Sequence, residues 1–324
     1  MKISIITVCK NAETTIKKAI ESVINQTYSD IEYIVVDGNS RDKTKEIINQ
    51  YKTHISQWVS EPDTGIYNAM NKGIKLATGD FIYFLNSDDY LLDNNVIQDV
   101  VNYLIKSPHC DVIYGNLEAR DKENKTLVKP PQPEKILDWM IYGSMPHQAT
   151  FAKVNVFEKY GLFNEEYKIV ADVAWYLNLL QYTNINWHYY PRTIASYALD
   201  GLSTKDIKLT RSEYWQAHNT AQVYQGHNWD NKRLLKYQDI ILYFEEQLLL
   251  SQKNNQELKS NLETTNQQLQ ASQRLVINQD NTIREIEEEI VAMKTSKFWK
   301  LRAFWFRLKK PWRFFLTPIK GLLN

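Results

Sequence analysis

The sequence contains little of what marks several common classes of protein. Its 324 residues include two cysteines, Cys9 and Cys110, and no Cys-x-x-Cys pair. A fold held by disulfides is therefore excluded, and two buried, reduced thiols suit a reducing compartment. No apolar run reaches the roughly 18 residues that a membrane-spanning helix needs. The N-terminal segment MKISIITVCK is apolar for too short a stretch to be a signal peptide, and it predicts a first strand instead.

Two common phosphate-binding motifs are also missing. No Gly-x-Gly-x-x-Gly follows the first predicted strand, and no P-loop motif, Gly-x-x-x-x-Gly-Lys followed by Ser or Thr, occurs anywhere. These absences exclude the usual dinucleotide-binding and P-loop sites. The formal net charge of +1 gives no reason to expect binding to nucleic acid.

Short apolar runs alternate with helical patterns, most regularly in the first 120 residues. Strands are predicted at residues 3–8, 31–37, 54–60, 80–86, 111–116, 148–153 and 184–190. Helices are predicted around residues 16–24 and at residues 42–51, 65–77 and 170–182. Strands separated by helices in this way predict an α/β fold, with a mostly parallel sheet that is covered by helices on both faces.

The region after Gly226 predicts one long helix, because neither glycine nor proline occurs again before Pro311. A single heptad register holds within it. Its a positions are Ile241, Leu248, Asn255, Leu262, Leu269, Val276, Ile283 and Ile290, and its d positions are Phe244, Ser251, Leu258, Thr265, Ser272, Gln279, Ile286 and Met293. The pattern predicts a coiled-coil region over residues 227–293 and a parallel homo-oligomer, in which Asn255 would fix the register. A long solvated helix is the alternative.

The last segment, residues 294–324, differs in composition from the rest of the chain. It carries nine Lys or Arg residues and no acid, and eight aromatic residues are interleaved with the basic ones. This composition predicts a membrane-associating tail that lies in the interface of an anionic membrane surface. The alternatives are nucleic-acid binding through aromatic stacking, which is disfavoured, and packing of the tail onto the body of the protein.

Polar clusters follow four of the predicted strands. They are Thr7 to Asn11, Asp37 to Ser40, Ser60 to Gly65, and Ser87 to Asp89. Each cluster alone is what an ordinary turn contains. In a parallel sheet, however, ligands bind beside the carboxyl ends of the strands. The adjacent aspartates Asp88 and Asp89 offer hard oxygen ligands to Mg²⁺ or Mn²⁺, with water and substrate phosphates completing the coordination.

Three runs carry a resemblance to a known family. They are SIITVCKNAETTIKKAIESVINQTYSDIEYIVVDGNSRDKT, SEPDTGIYNAMNKGIKLATGDFIYFLNSDD and MPHQATFAKVNVFEKYGLFNEEYKIVADVAWYL. Together they resemble the family 2 glycosyltransferases of the bacterial polysaccharide type. The resemblance covers about residues 1–200 and implies a GT-A fold for a catalytic domain over residues 1–226.

The resemblance also implies roles for individual residues. Asp37 would contact the nucleotide base, Asp63 would lie in the nucleotide site, Asp89 would be the main metal ligand, and Asp172 would be the catalytic base. The full nucleotide-sugar-binding set that it implies is Thr7, Asn11, Asp37, Gly38, Ser40, Asp63, Asn71 and Asp88.

Two further residues, His147 and Gln148, would lie on the acceptor side. For His147 the alternative is a histidine that only satisfies loop backbone, and for Asp172 it is a surface acid on a helix.

The sequence departs from the family pattern at several positions. Ser87 replaces the first aspartate of the metal-binding element, so metal ligation rests mainly on Asp89. Ala171 stands where many relatives have glutamate, and Arg41 and Lys43 replace smaller residues after the Asp-Gly turn. The Gln-x-x-Arg-Trp motif of processive synthases is absent, which favours the addition of one sugar per binding event.

These observations predict an inverting, metal-dependent glycosyltransferase. It would move a sugar from a nucleotide-diphosphate sugar to a glycan or lipid-linked acceptor in polysaccharide biosynthesis. It would sit in the cytoplasm, peripheral on the inner face of the cell membrane. A nucleotidyltransferase would need a basic, phosphate-cradling loop, for which Lys10 alone is weak support. A catalytically degenerate, membrane-tethered scaffold is the other alternative, and the presence of Asp37, Asp89 and Asp172 together argues against it.

Overall fold

The computed structural model describes residues 1–121, 123–141 and 143–295. The chain divides into two compact units, Met1–Ile240 and Ile241–Asn324. Among the described residues, the strands and every helix except the last lie within the first unit. The predicted catalytic-domain boundary after residue 226 stays a prediction.

The strands are β1 (Ile3–Cys9), β2 (Ile31–Asp37), β3 (Gln57–Ser60), β4 (Phe81–Phe84), β5 (Tyr90–Leu91), β6 (Val112–Arg120), β7 (Lys125–Val128), β8 (Thr150–Lys153) and β9 (Trp187–Ala198). The helices are α1 (Ile16–Ile24), α2 (Thr44–Gln50), α3 (Ile66–Leu76), α4 (Val96–Lys106), α5 (Ile136–Trp139), α6 (Val154–Tyr160), α7 (Ala171–Leu180), α8 (Leu202–Lys205), α9 (Ile207–Thr220) and α10 (His227–Thr295). Short 3-10 turns occur at Lys52–His54, Pro133–Lys135, His147–Ala149 and Gln222–Tyr224.

The strands form one mixed sheet in the order β3-β2-β1-β4-β8-β6-β9-β5, with β7 paired to β6. The first four strands in this order are parallel to one another. β8 is antiparallel to both β4 and β6, whereas β6 and β9 are parallel. The predicted parallel sheet is confirmed for the first four strands, and the remaining strands make the sheet mixed.

Helices cover the sheet on both faces because the central strands are apolar on both sides. All seven residues of β1 are buried. Ile6 and Val8 pack in a core that includes residues of α3 and α7, while Ile3 and Ile5 pack in a second core with residues of α1 and α4. Burying one such branched side chain stabilises the fold by about 1.5–3 kcal/mol. The continuous apolar run of β1 therefore specifies a central strand.

Several strand boundaries differ from the prediction, most clearly those of β3, β6 and β9. The predicted strand over residues 54–60 begins only at Gln57, because the chain first makes the 3-10 turn Lys52–His54. The last strand, predicted to end at residue 190, continues through Pro191 to Ala198. Proline can stand inside this strand because the register between β6 and β9 shifts there. A residue at such a bulge is not paired in the ladder, so the strand does not need the N–H that proline lacks.

The long predicted helix is confirmed as α10, a single helix of 69 residues. In the single chain the apolar side chains at the a positions Ile241, Leu248, Leu262 and Leu269 are all more than half exposed. Exposed apolar side chains that recur along one seam, here interrupted by polar residues such as Asn255, are what a coiled-coil partner would cover. The coiled coil itself stays a prediction.

No helix among the described residues is both long enough and apolar enough to cross a membrane. The predicted membrane-associating tail, residues 294–324, lies outside the described residues, apart from the last two helical positions of α10.

If α10 forms a homo-oligomer through its heptads, charges placed in the seam should dissociate it. We expect the double variant Leu262→Asp, Leu269→Asp to be monomeric, because burying carboxylates against one another is costly. Ser260→Asp with Gln267→Asp adds the same charge on the outer face of the helix and should keep the oligomer. Light scattering on the three full-length proteins is the measurement, and a monomeric wild-type chain would contradict the coiled coil.

Candidate active site

Three of the predicted polar clusters meet where β1, β2 and β3 end. In the sheet register Cys9 lies beside Asp37, and Asp37 lies beside Ser60. A main-chain hydrogen bond continues the pairing of β1 with β2 by one residue: the Gly38 N–H donates to the Cys9 carbonyl oxygen at 2.8 Å. The carboxyl ends of the three strands therefore form one edge, as the sequence predicted.

Asp37 is completely buried and its carboxylate is surrounded by hydrogen-bond donors. The Ser60 hydroxyl donates to Oδ2 at 2.6 Å and the Ser40 N–H donates to the same oxygen at 3.1 Å. The Ser40 hydroxyl and, more weakly, the Cys9 thiol donate to Oδ1. Burial and the charge of Asp37 raise the pKa of the Cys9 thiol, which keeps it protonated. These donors are what allow an acid to be buried here without a cation.

The Asp-Gly turn brings a second carboxylate into the site. The Lys10 ammonium pairs with Asp63 at 3.1 Å, and the Asp63 side chain is largely covered. A Cβ on residue 38 would lie 1.9 Å from Asp63 Oδ2, so the glycine at this position leaves room for that carboxylate. Lys10, weak support for a phosphate site when taken alone, thus stands beside the predicted nucleotide site.

The loop after β1 is fastened to the same turn. Asn11 has a positive φ of 52°, which asparagine tolerates better than most residues. Its N–H donates to the Ser40 hydroxyl at 2.8 Å, and its side-chain oxygen accepts from the Arg41 N–H at 2.9 Å. Thr7 lies deeper in β1, where its hydroxyl accepts from Tyr33 at 3.1 Å. Asn11 and Ser40 thus shape the edge of the site, while Thr7 supports it from inside.

The two aspartates after β4 form a turn beside this edge. Asp89 is 3% exposed, and Oδ1 accepts from the Ala198 N–H of β9 at 2.9 Å. Burial and the charge of Asp88 raise the pKa of Asp89 to about 8. Burial also raises the pKa of Asp88, while the Arg120 guanidinium opposes that rise and donates to the Asp88 carbonyl oxygen. The buried strand β4 is thus followed by two adjacent carboxylates, both with raised pKa values.

This pair fits a divalent cation. Burial and the neighbouring charge of Asp88 raise the pKa of Asp89, so a cation that balances both negative charges would stabilise this pair. The part of the chain that the structure describes contains no group of three or more His, Cys, Asp or Glu side chains suited to a metal. A cation at Asp88 and Asp89 would therefore share its coordination with phosphate and water oxygens, as Mg²⁺ commonly does.

The segment His147–Gln148 lies between the aspartate pair and α7. The Gln148 side chain hydrogen-bonds Asp89 and lowers its pKa. The His147 ring stacks on Phe84, the last residue of β4, with 5.2 Å between ring centroids. Its Nδ1 faces the Tyr176 hydroxyl at 3.5 Å, while its buried Nε2 has no hydrogen-bond partner. The alternative that His147 only satisfies loop backbone is thus not supported by its contacts.

Asp172 is the second residue of α7 and is partly exposed. The Tyr67 hydroxyl of α3 lies 2.8 Å from Asp172 Oδ1 and 2.6 Å from the Ile169 carbonyl oxygen. Burial lowers the pKa of His147, and the negative charge of Asp172 partly offsets that effect, so the two side chains are electrostatic neighbours. A carboxylate in the first turn of a helix is also stabilised by the helix dipole.

One predicted donor-binding residue has a different environment. Asn71 is buried in α3, where its amide donates to the Phe163 carbonyl oxygen and to Glu165, each at 2.9 Å. Its side-chain oxygen accepts from the Phe163 N–H at 3.0 Å. These bonds join α3 to the segment after α6, so the contacts give Asn71 an architectural role and provide no support for donor binding.

Three residues of the site were not predicted from the sequence. Tyr67 contacts Asp172, Arg120 holds the turn at Asp88, and Glu213 of α9 accepts from the backbone just before α7. None of them belongs to a recognisable motif, and each reaches its partner across at least 32 residues of sequence.

The family model described as glycosyl transferase family 2 matches residues 4–165, which is half of the chain. A relative from Mycobacterium bovis, described as a PGL/p-HBAD biosynthesis glycosyltransferase, is 28% identical over 200 residues, covering 60% of this chain and 75% of the relative.

Two solved structures share the fold. One is Staphylococcus aureus TarS 1–349 in complex with UDP-GlcNAc, with a TM-score of 0.55, 19% identity, and coverage of 67% of this chain and 64% of that one. The other is the mannosyltransferase PcManGT from Pyrobaculum calidifontis in complex with GDP-Man and Mn²⁺, with a TM-score of 0.53, 14% identity, and coverage of 70% and 65%. The chain thus spans slightly less than two thirds of both solved chains.

The Tyr67 hydroxyl should contribute measurably to stability. Replacing Tyr67 by Phe removes the hydroxyl, whose single proton is within hydrogen-bond distance of both Asp172 Oδ1 and the Ile169 carbonyl oxygen, while keeping the ring in the core. We expect the free energy of unfolding to fall by about 1 kcal/mol, as measured by urea denaturation. Tyr182→Phe, which alters a more exposed hydroxyl, is the control and should change little. Equal stabilities for the two variants would contradict the role of the Tyr67 hydroxyl.

Proposed function

Because the chain belongs to glycosyl transferase family 2, we propose that it moves one sugar per binding event from a nucleotide-diphosphate sugar to a lipid-linked or surface-polysaccharide acceptor, with inversion at the anomeric carbon. The bound UDP-GlcNAc and GDP-Man of its two structural neighbours support the choice of donor class. The lack of a Gln-x-x-Arg-Trp motif supports non-processive transfer.

One observation carries the proposal. The two-residue segment His147–Gln148 contacts Asp89 through Gln148 and is an electrostatic neighbour of Asp172 through His147. The carboxylate pair that could bind a cation therefore lies on one side of this short segment. The carboxylate that could accept a proton lies on the other side. A donor diphosphate and an acceptor hydroxyl need these two environments side by side.

In the proposed donor site the nucleotide lies along the edge formed by the ends of β1, β2 and β3. Asp37 would accept a hydrogen bond from the nucleotide base. In the described chain its carboxylate oxygens already accept hydrogen bonds from Ser40, Ser60 and Cys9. Nucleotide binding must then replace or share some of these bonds. Lys10 and Asp63 stand at the same edge, where the ammonium would balance phosphate charge.

Asp89, with Asp88 beside it, would hold a divalent cation, Mg²⁺ or Mn²⁺, on the diphosphate. The Mn²⁺ in the mannosyltransferase neighbour supports this assignment. When bound, such a cation stabilises the negative charge that develops on the departing nucleoside diphosphate. The protein's own contribution is to hold the aspartate turn in place, through the Ala198 N–H on one side and Arg120 on the other.

Asp172 would act as the base. As the acceptor hydroxyl attacks the anomeric carbon and the bond to the diphosphate breaks, the hydroxyl proton passes to an Asp172 carboxylate oxygen. A single base opposite the leaving group gives one displacement and an inverted product. The partial exposure of Asp172 suits contact with an acceptor.

The cation site can be tested by binding as well as by activity. We expect Mn²⁺ to strengthen the stabilisation of the wild-type protein by UDP-GlcNAc or GDP-mannose in thermal melts, since a ligand that binds only the native state raises the midpoint. Asp89→Ala should still fold, should lose this metal-dependent shift, and should lose transfer. Asp239→Ala, which removes an exposed acid from α10, is the matched control. Activity that survives both Asp89→Ala and EDTA would exclude the metal role.

The base can be tested by a substitution that keeps its shape. Asp172→Asn should lower turnover by about 10²-fold or more, because the amide cannot take the proton, while the KM for the donor changes little. Steady-state kinetics is the measurement. A variant that loses donor affinity but keeps its turnover would make Asp172 a binding residue. The anomeric configuration of the wild-type product, determined by NMR, separately tests inversion.

We also propose that the enzyme works on the inner face of the cell membrane, held there by residues 294–324. Each Lys or Arg near an anionic surface contributes about 1 kcal/mol, and the segment has nine of them. Removing residues 294–324 should release the protein from anionic vesicles in co-sedimentation, with donor hydrolysis unchanged. Vesicles of neutral lipid are the control. Binding that does not depend on the tail, or that persists on neutral lipid at high salt, would contradict electrostatic anchoring.

A further inference from the structure

Glu213 is a buried acid that the proposed reaction does not use. It lies on α9 and is 7% exposed, on the side of the helix that faces the protein interior. It also lies beyond residue 165, where the matched family region ends. An acid this well buried is costly unless hydrogen-bond donors meet it, so its partners indicate what it is for.

The partners of Glu213 are three consecutive backbone N–H groups. Lys168 N–H donates to Oε1 at 2.9 Å, and Ile169 and Val170 N–H donate to Oε2 at 2.9 and 3.3 Å. These residues are the last three before α7, which begins at Ala171. Hydrogen bonds from N–H groups to a carboxylate are about twice as strong as bonds between neutral groups. One side chain therefore fixes the path by which the chain enters α7.

The same short segment is held from its other side by Tyr67. The Tyr67 hydroxyl lies 2.6 Å from the carbonyl oxygen of Ile169, whose N–H is bound to Glu213. The same hydroxyl lies 2.8 Å from Oδ1 of Asp172, which is two residues after Val170. The Ile169 peptide units are thus clamped between α9 and α3. Because Asp172 sits in the first turn of α7, a shift of this segment shifts the Asp172 carboxylate.

We propose that Glu213 is a positioning residue for Asp172: it sets the start of α7 so that the carboxylate of Asp172 meets the acceptor hydroxyl. The proposal rests on the proposed function, because it takes Asp172 as the base. A displacement of about 1 Å at a catalytic group can reduce the rate on the order of 10²-fold. A residue that only braces the fold would act on stability and not through Asp172.

A double-mutant cycle on the full-length protein separates these two roles. The variants are Glu213→Gln, Asp172→Asn and the double variant. Each is measured with Mn²⁺ and with UDP-GlcNAc or GDP-mannose, whichever the wild-type protein turns over. Gln keeps the size of Glu213 but turns an NH₂ group toward N–H donors, so at least one of the three bonds is lost. Glu158→Gln, on the exposed face of α6, is the matched control.

We expect Glu213→Gln to lower kcat by about tenfold to 10²-fold, with the donor KM within twofold of wild type and Glu158→Gln like wild type. In the Asp172→Asn background, the same substitution should change kcat by less than twofold, because the group it positions is already gone. Equal losses in both backgrounds, or no loss in either, would overturn the proposal.

Two other outcomes are distinguishable. If Asp172→Asn keeps wild-type turnover, the assignment of the base fails, whatever Glu213 does. If Glu213→Gln shows no cooperative thermal transition, Glu213→Asp is put through the same cycle, since it keeps the charge but shortens the reach. If that variant also fails to fold, Glu213 is required for the fold itself, and the proposal is rejected.

Discussion

The parallel pairing of β1 with β2 and β4 is the constraint from which the rest of the site follows. Parallel strands end at the same edge, so Cys9, Asp37 and Ser60 become neighbours although they are far apart in the sequence. Burial of β1 at every position fixes its place in the centre of the sheet. Because β4 is parallel to β1, the turn at Asp88 and Asp89 that follows β4 lies beside that edge. The apolar core and the polar site are thus specified by the same strand pairing.

Three buried acids belong to the site or to the segment that leads into α7, and each is stabilised in a different way. Asp37 is met by neutral donors from serine and cysteine. Glu213 is met by three backbone N–H groups. Asp89 is met by one backbone N–H and by the Gln148 side chain, yet burial and the neighbouring charge of Asp88 still raise its pKa to about 8. The first two acids therefore have several hydrogen-bond donors each within the chain, and in the proposed donor site Asp37 would share some of its own with the nucleotide base. The third is the one that gains most from an external cation, which is consistent with a role in binding.

The sequence was sufficient to predict the helices and strands of the first 90 residues, because their apolar periods are long and regular. It also predicted the carboxylates at the strand ends, because clusters of Asp, Gly, Asn and Ser mark the turns there. It could not predict the mixed half of the sheet, where β9 runs through Pro191 at a shift in register. Nor could it predict Arg120 or Glu213, whose partners are 32 and 45 residues away. These contacts depend on tertiary packing, and no local pattern of residues encodes them.

The position of α9 has a consequence for how such enzymes can be recombined. Asp172 and Glu213 both follow the matched family region, which ends at residue 165, yet Tyr67, which contacts Asp172, comes from within it. A chimera that joined residues 1–165 of this chain to the C-terminal part of a relative would keep Tyr67 on α3. The relative would then have to supply α7 and α9 as one block, with an acceptor for the tyrosine hydroxyl at the start of α7. Such recombination is constrained less by the position of the junction in the sequence than by the contacts that cross it.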